Sequence, residues 1–341
     1  MTAQPTDPRR SDPQHTDPLG RTAEPVPADR RPTAGPIAVL PEPEQRFVDA
    51  VEAGGGTVAP LSGETRGVVW LSSSRPDELK ATLDEHPGIE WVQLPWAGVD
   101  AFSGLLAGYA DRPRPLWTSA KGAYSEPVAE HALALTLALL RALPEKSAAT
   151  GWATEEVGIS LYGRKVVIVG AGGIAVEIMR LLAPFRADVT IVRRSVEPLP
   201  GAHRTVAADA LLDVLPDADV VILAAASTTA TARLIGAAEL AAMKPTAVLV
   251  NIARGALVDT EALVASLAAG DILAAGLDVT DPEPLPDGHP LWAEPRCLIT
   301  SHSADTKDMT GPLLAGRIRV NVEALLGDGR FVGVVDVAAG Y

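Results

Sequence analysis

Three features of the chain predict an α/β protein with two doubly wound parallel-sheet domains. Short apolar runs without charge, such as residues 166–169 and 220–224, read as strands buried on both faces, which parallel sheets require and antiparallel sheets do not. Stretches with helical apolar spacing alternate with these runs, so each strand is followed by a crossover. The turn Gly170-Ala171-Gly172-Gly173-Ile174-Ala175 joins one run to a segment whose apolar residues Ile174, Ile178, Leu181 and Leu182 recur at helical spacing.

Taken in order, residues 1–35 are rich in Pro, Asp, Arg and Thr and nearly devoid of large apolar side chains, so a disordered tail is expected there. A strand is expected at 37–40, a helix at 44–52 ended by Gly54-Gly55-Gly56, further strands at 68–71 and 91–94, and a helix at 76–85 between them. After the third strand comes Pro95-Trp96-Ala97-Gly98-Val99-Asp100, at the carboxyl end where α/β sheets receive ligands. Small residues there can offer backbone N–H groups to an anion.

Ser125 suits a helix N-cap, with Glu126 near the positive end and Pro127 in the first turn. The helix expected from 128 to about 142 is apolar nearly all round, as at a domain junction or subunit interface. His131 within it reads as a hydrogen-bonded structural residue. Beyond the glycine turn, strands are expected at 189–192, 220–224, 247–252 and 272–277, with helices at 207–215, 237–243 and 260–269 between the later ones. A long helix at 309–326 and a short apolar end at 331–337 follow the last strand of the second domain, so they are expected to return to the first domain. The expected division is 1–35 tail, 36–122 first domain completed by 306–341, and 123–305 second domain.

The balance of the chain excludes several classes of protein. A net charge of −14 over 341 residues argues against a nucleic-acid partner, which would need clustered Lys and Arg. The single cysteine, Cys297, cannot close an intramolecular disulfide or contribute to a zinc site. Followed by Leu298 and Ile299, it reads as a buried strand thiol in a cytoplasmic protein, and no metal is expected. No apolar run reaches the roughly 18–20 residues that span a bilayer, and the amino terminus lacks the apolar core of a secretory signal, so no membrane partner is expected.

The glycine turn carries the first functional expectation. Gly170 permits the tight turn, Gly172 lets a pyrophosphate approach the backbone, and Ala175 lets helix and strand pack closely. The N–H groups and positive helix end at Gly172, Gly173 and Ile174 then face the phosphates. The next strand decides which dinucleotide. Asp188 precedes that strand and so lies at the wrong end, whereas Arg193 and Arg194 occupy the position where a ribose-binding acid would stand. A guanidinium fork binds a 2′-phosphate that a carboxylate would repel, so NADP(H) is expected in preference to NAD(H).

Three polar residues fall just past strand ends: Arg254 in Val250-Asn251-Ile252-Ala253-Arg254-Gly255, Glu283 in Asp278-Val279-Thr280-Asp281-Pro282-Glu283-Pro284, and His302 in Ile299-Thr300-Ser301-His302-Ser303-Ala304-Asp305. With the glycine turn and Pro127-Val128-Ala129-Glu130-His131-Ala132, these segments resemble the D-isomer-specific 2-hydroxyacid dehydrogenase family from about residue 37 to the end. The double arginine and the short spacing from Glu283 to His302 are most similar to its glyoxylate/hydroxypyruvate reductase branch.

The resemblance implies a Rossmann-type nucleotide domain beside a smaller, flavodoxin-like substrate domain, with a cleft that closes on a small 2-oxo acid. It implies catalysis by His302 as proton donor, Glu283 as the carboxylate that holds its ring and favours imidazolium, and Arg254 as the clamp for the substrate carboxylate. Trp96 would shape the pocket, and the N–H groups of Gly98 and Val99 would share the carboxylate. Further cofactor contacts are implied at Thr228, at the backbone of Ile252 and Ala253, and at Asp278 toward the carboxamide. A homodimer is implied as well. The chain departs from the family at Ala226 and Ser301, where proline is frequent, and at Asp305, where glycine is common. A phosphoglycerate-type NAD-dependent dehydrogenase is the alternative within the class, and a nucleotide-sensing binding protein the alternative outside it.

Overall fold

Eleven strands in two wholly parallel sheets organise the protein, seen in a computed structural model that describes residues 23, 25–152, 154 and 156–337. The chain divides into two units, Met1–Tyr124 with Lys307–Tyr341, and Ser125–Thr306.

In the first unit, β1 (Ile37–Leu40), β2 (Gly67–Trp70), β3 (Trp91–Gln93) and β4 (Leu116–Thr118) pair in sequence order. Helices α1 (Gln45–Ala53), α2 (Pro76–Glu85) and α3 (Ser103–Ala107) make the crossovers. Every residue of β2 is buried, as the uncharged run predicts. Trp70, Trp117 and Phe102 fill the core with aliphatic side chains from α2 and α3.

In the second unit, α4 (Ser125–Leu140) and α5 (Leu143–Ala148) precede β5 (Lys165–Val169), α6 (Gly173–Leu182), β6 (Asp188–Arg193), β7 (Arg204–Ala207), α7 (Leu211–Val214) and β8 (Val220–Leu223). Then come α8 (Ala237–Ala242), β9 (Val248–Asn251), α9 (Thr260–Ala269), β10 (Ala274–Leu277), α10 (Pro290–Ala293) and β11 (Cys297–Ile299). The strand order is β11-β10-β9-β8-β5-β6-β7, so the winding reverses between β5 and β8. Strands β8, β9 and β10 are buried throughout.

The long helix α11 (Lys307–Leu326) then returns to the first unit and packs on α1. A buried polar chain ties it to the sheet. Trp91 Nε1 donates to Thr118 Oγ1 at 2.9 Å, Thr118 Oγ1 donates to Gln93 Oε1 at 2.9 Å, and Asn321 Nδ2 donates to the same Oε1 at 2.8 Å. Asn321 Oδ1 accepts the Val332 N–H at 2.8 Å, which fixes the segment after the helix.

Several expectations need correction. Of the tail expected to be disordered, residues 1–22 and 24 lie outside the described residues, but 25–35 are bound along the first unit. Val26 N donates to Gly329 O (2.9 Å), Thr33 N to Glu90 Oε2 (2.7 Å), and Arg114 Nη2 to Arg31 O (3.0 Å). Backbone groups and charged side chains hold this segment, which apolar content alone does not register. The single helix expected at 207–215 is instead the end of β7, the short helix α7 and flanking 3-10 turns. Helix α4 starts at Ser125 itself and ends at Leu140. The face of α4 that bears Leu135 and Leu139 packs within its own unit on α6, β9 and β10, where Gly276 of β10 leaves room for both side chains, while Leu133 and Leu137 are only half-buried. No helix among the described residues is long and apolar enough to cross a membrane.

Candidate active site

The reversal of strand order places the carboxyl ends of β5 and β8 side by side, and an open α/β sheet leaves a ligand crevice at such a point. Gly170 leaves β5 at φ +120°, and a β-carbon there would strike the backbone of Ala224 and Ala225 beyond β8. Only glycine lets the two strand ends approach this closely. At Gly172, with φ −82°, a β-carbon would meet nothing within 4 Å. That open space lies at the amino end of the ten-residue helix α6, where Gly172, Gly173 and Ile174 present the first N–H groups. Ala175 is fully buried. The turn therefore fits a pyrophosphate, with backbone donors and a helix dipole aimed at the same space.

Arg193 ends β6 and Arg194 follows it, at the carboxyl edge of the sheet. Asp188 opens β6 opposite Lys165, at the far end of the strand, with His203 Nδ1 at 3.9 Å. Thr228, in the loop after β8, donates its N–H to Thr231 Oγ1 at 2.8 Å, and the two hydroxyls lie 3.1 Å apart.

Arg254 is presented by a turn that Asn251 ties together. Asn251 is wholly buried; its Nδ2 donates to Arg254 O at 2.9 Å and its Oδ1 accepts the Ala253 N–H at 3.0 Å. Ile252 and Ala253 are buried beside it, and Arg254 Nη1 donates to Ala253 O at 2.7 Å. A β-carbon on the next residue, Gly255, would overlap the backbone of Thr280 and Asp281, so the Arg254 turn lies directly on the segment that carries Glu283. That segment is held by Thr260 Oγ1, which donates to Asp281 O at 2.6 Å, and by buried Leu285.

His302 and Glu283 meet. His302 Nδ1 stands 2.6 Å from Glu283 Oε1, with side chains 48% and 41% exposed. An ionised carboxylate only accepts, so Nδ1 carries the hydrogen of this bond. Nε2 is then the nitrogen that can give or take a proton. Ser301 and His302 both adopt the left-handed conformation, at φ 50° and 52°. A proline cannot reach such a φ, so the departure at Ser301 permits a local backbone that the proline frequent in the family would forbid.

Asp278, 2% exposed just beyond β10, holds this loop. Its Oδ1 accepts from Thr300 Oγ1 at 2.6 Å and from Ser303 N at 2.9 Å, and its Oδ2 accepts from Ala304 N at 3.2 Å. The backbone oxygen of Asp278 accepts the His302 N–H at 2.5 Å. His131 reaches the network from α4, with Nε2 2.9 Å from Thr300 Oγ1. Asp305 is a further charge here that residue type alone did not mark as functional. Burial holds its carboxyl above the ordinary range; His302 pulls it down, Asp278 pushes it up and Arg254 pulls it down. The guanidinium and imidazole thus act on one carboxyl group. Asn251 and Thr300 were also missed, since only tertiary structure reveals their partners.

Trp96, Gly98 and Val99 lie in the first unit, after β3. Trp96 packs edge-on to Tyr124 with ring centroids 5.9 Å apart, and Tyr124 Oη donates to Pro95 O at 2.6 Å. Val99 is buried in the core of this unit. Among the described residues no cluster of His, Cys, Asp or Glu is arranged to hold a metal.

A doubly wound sheet with a glycine turn at its switch point, and a hydrogen-bonded His–Glu pair near an arginine turn at neighbouring strand ends, is the arrangement of a nucleotide-dependent oxidoreductase. The model of the D-isomer specific 2-hydroxyacid dehydrogenase NAD binding domain matches residues 133–304. An uncharacterised protein in the proB 3′ region of Corynebacterium melassecola is 36% identical over 297 residues, covering 86% of this chain and 95% of that protein. This chain belongs to the D-isomer specific 2-hydroxyacid dehydrogenase family, whose members are NAD(P)-dependent oxidoreductases.

Other relatives match in part. A D-3-phosphoglycerate dehydrogenase of Mycobacterium tuberculosis is 35% identical over 200 residues, covering 56% of this chain and 38% of its own. A glyoxylate reductase of Aeropyrum pernix is 35% identical over 202 residues, covering 55% and 59%. Among solved structures, a D-isomer specific 2-hydroxyacid dehydrogenase of Xanthobacter autotrophicus, in complex with NADPH and MES, superposes with a TM-score of 0.76 at 26% identity, covering 91% of this chain and 100% of that one.

Proposed function

We propose that this protein is an NADPH-preferring reductase that converts small 2-oxo acids, of the size of glyoxylate or hydroxypyruvate, into D-2-hydroxy acids. The observation that carries the reading is the 2.6 Å contact between His302 Nδ1, after β11, and Glu283 Oε1, after β10, the strand next to the one that presents Arg254. The reduced dinucleotide, when bound, supplies the hydride.

The residues of the chain do the rest. Arg254 binds the substrate carboxylate and polarises the adjacent carbonyl, a planar two-pronged task for which lysine is poorly shaped. His302 delivers a proton from Nε2 to the oxygen as negative charge develops on it. Glu283 keeps the ring turned so that Nε2 faces the substrate. Gly170, Gly172, Gly173 and Ile174 hold the pyrophosphate, and Arg193 with Arg194 binds a 2′-phosphate. Thr228, the backbone of Ile252 and Ala253, and Asp278 complete the cofactor site in this reading. The absence of an acid at the end of β6 supports the NADPH preference, as does the NADPH complex of the Xanthobacter relative. A cytoplasmic setting belongs to the proposal on the single cysteine, and a homodimer on family likeness and the apolar helix α4.

The test is consumption of NADPH and of NADH by the purified protein with glyoxylate, hydroxypyruvate, phosphohydroxypyruvate and larger 2-oxo acids. Turnover of the small acids with higher kcat/KM for NADPH is expected. Failure to oxidise NADPH with every acid removes the reductase assignment, and a clear preference for NADH removes the arginine argument.

A further inference from the structure

The loop that bears His302 contains two consecutive non-glycine residues in the left-handed region, Ser301 and His302. This conformation is unfavourable for any residue with a β-carbon and persists only where its surroundings impose it. The imposing group is Asp278. Its two carboxylate oxygens and its backbone oxygen together take the Thr300 hydroxyl and the N–H groups of His302, Ser303 and Ala304. Four donor groups of one strained turn, from Thr300, His302, Ser303 and Ala304, thus converge on one nearly inaccessible residue.

Thr300 links this clamp to α4. Its hydroxyl has one hydrogen, directed at Asp278 Oδ1 at 2.6 Å, where only an acceptor stands. It therefore accepts from His131 Nε2 at 2.9 Å, which places the hydrogen of that ring on Nε2. His131 Nε2 is also 3.5 Å from Asp278 Oδ1. Helix α4 rests on β9 and β10, so the chain of bonds runs from a helix seated on the sheet to the turn that aims His302.

We propose that Asp278, Thr300 and His131 form a positioning relay that sets the aim of His302. This assigns Thr300 and His131 a part in turnover and gives Asp278 a task in addition to any contact with the dinucleotide. The inference rests on the reading of His302 as proton donor.

Thr300→Val keeps the shape of the side chain and removes both hydroxyl bonds, whereas Thr300→Ser keeps the hydroxyl. With NADPH and glyoxylate, Thr300→Val should lower kcat about tenfold with both KM values within about twofold, and Thr300→Ser should restore most of it. Amide hydrogen exchange of residues 301–304 should rise at least about tenfold in Thr300→Val and in His131→Ala, and stay near wild type in Thr300→Ser. Unchanged exchange and kcat in Thr300→Val overturn the relay, as does equal impairment of the Val and Ser variants. His302→Ala, measured in parallel, keeps the two questions apart. If it turns over like wild type the proton-donor reading fails, while the exchange data still decide whether the relay orders the turn.

Discussion

His302 Nδ1 and Glu283 Oε1, nineteen residues apart in the chain, lie 2.6 Å from each other. The pair fixes which imidazole nitrogen faces outward. His302→Ala should lower kcat by ~10² or more, the usual scale for a lost general acid. Glu283→Gln keeps an acceptor but loses the charge, and a smaller loss of about tenfold is expected. Steady-state kinetics on variants with unchanged circular dichroism read both effects, and near wild-type turnover in His302→Ala would strip the residue of its role.

Arg193 and Arg194 stand where β6 delivers its carboxyl end. Charge-assisted hydrogen bonds to a phosphate contribute about 1.5–3 kcal/mol each, so replacing both arginines by alanine should lower kcat/KM for NADPH by ~10² or more. The value for NADH should stay within about threefold. A parallel loss with both dinucleotides would mean that the arginines support the fold or the common part of the cofactor.

Gly172 and Gly255 respond to the same substitution in opposite ways. A β-carbon at Gly255 meets backbone atoms of Thr280 and Asp281, which cannot rotate aside, so Gly255→Ala should destabilise the protein by about 2–3 kcal/mol. A β-carbon at Gly172 meets nothing within 4 Å, so Gly172→Ala should leave the denaturation midpoint unchanged and weaken NADPH binding about tenfold or more. Denaturant titration and fluorescence titration with NADPH check the two halves. Unaltered NADPH affinity in Gly172→Ala would move the pyrophosphate away from this turn.

Cys297 lies in β11 as expected but is half-buried rather than buried, and its thiol is pushed up to about 12, chiefly by desolvation and further by the charge of Glu294. Only the thiolate reacts, so at pH 8 its modification by a disulfide reagent should be about 10³ slower than that of an ordinary cysteine, and the rate should climb as pH rises toward 12. Guanidinium should abolish the protection. Rapid labelling of the folded protein at pH 8 would show that the strand end opens readily.

Where a segment carries its own explanation, the sequence announces it. Residues 166–169 and 220–224 are apolar and uncharged because both sheet faces are covered, and the glycines after 169 are read directly as a turn with a purpose. Strands β4 and β7 are harder to read. Leu116–Thr118 is three residues long, and Arg204–Ala207 has one buried residue, because it lies at the sheet edge. In the site, Arg254, Glu283 and His302 are visible as polar residues after apolar runs. Asn251, Thr300 and Asp305 act through partners distant in the chain or through shared burial, and no local pattern points to those. The segment 25–35 is held by backbone hydrogen bonds to groups as distant as Gly329, for which composition has no signal.

The return of α11 to the first unit has a consequence for the order of synthesis. Once Thr306 has left the ribosome, every residue of the second unit is available and that unit can fold as one continuous length of nascent chain. The first unit, although begun earlier, at that point still lacks Asn321, the donor that completes the amide of Gln93. A message cut short before codon 307 would therefore release a product with a finished nucleotide fold and an unfinished amino-terminal partner.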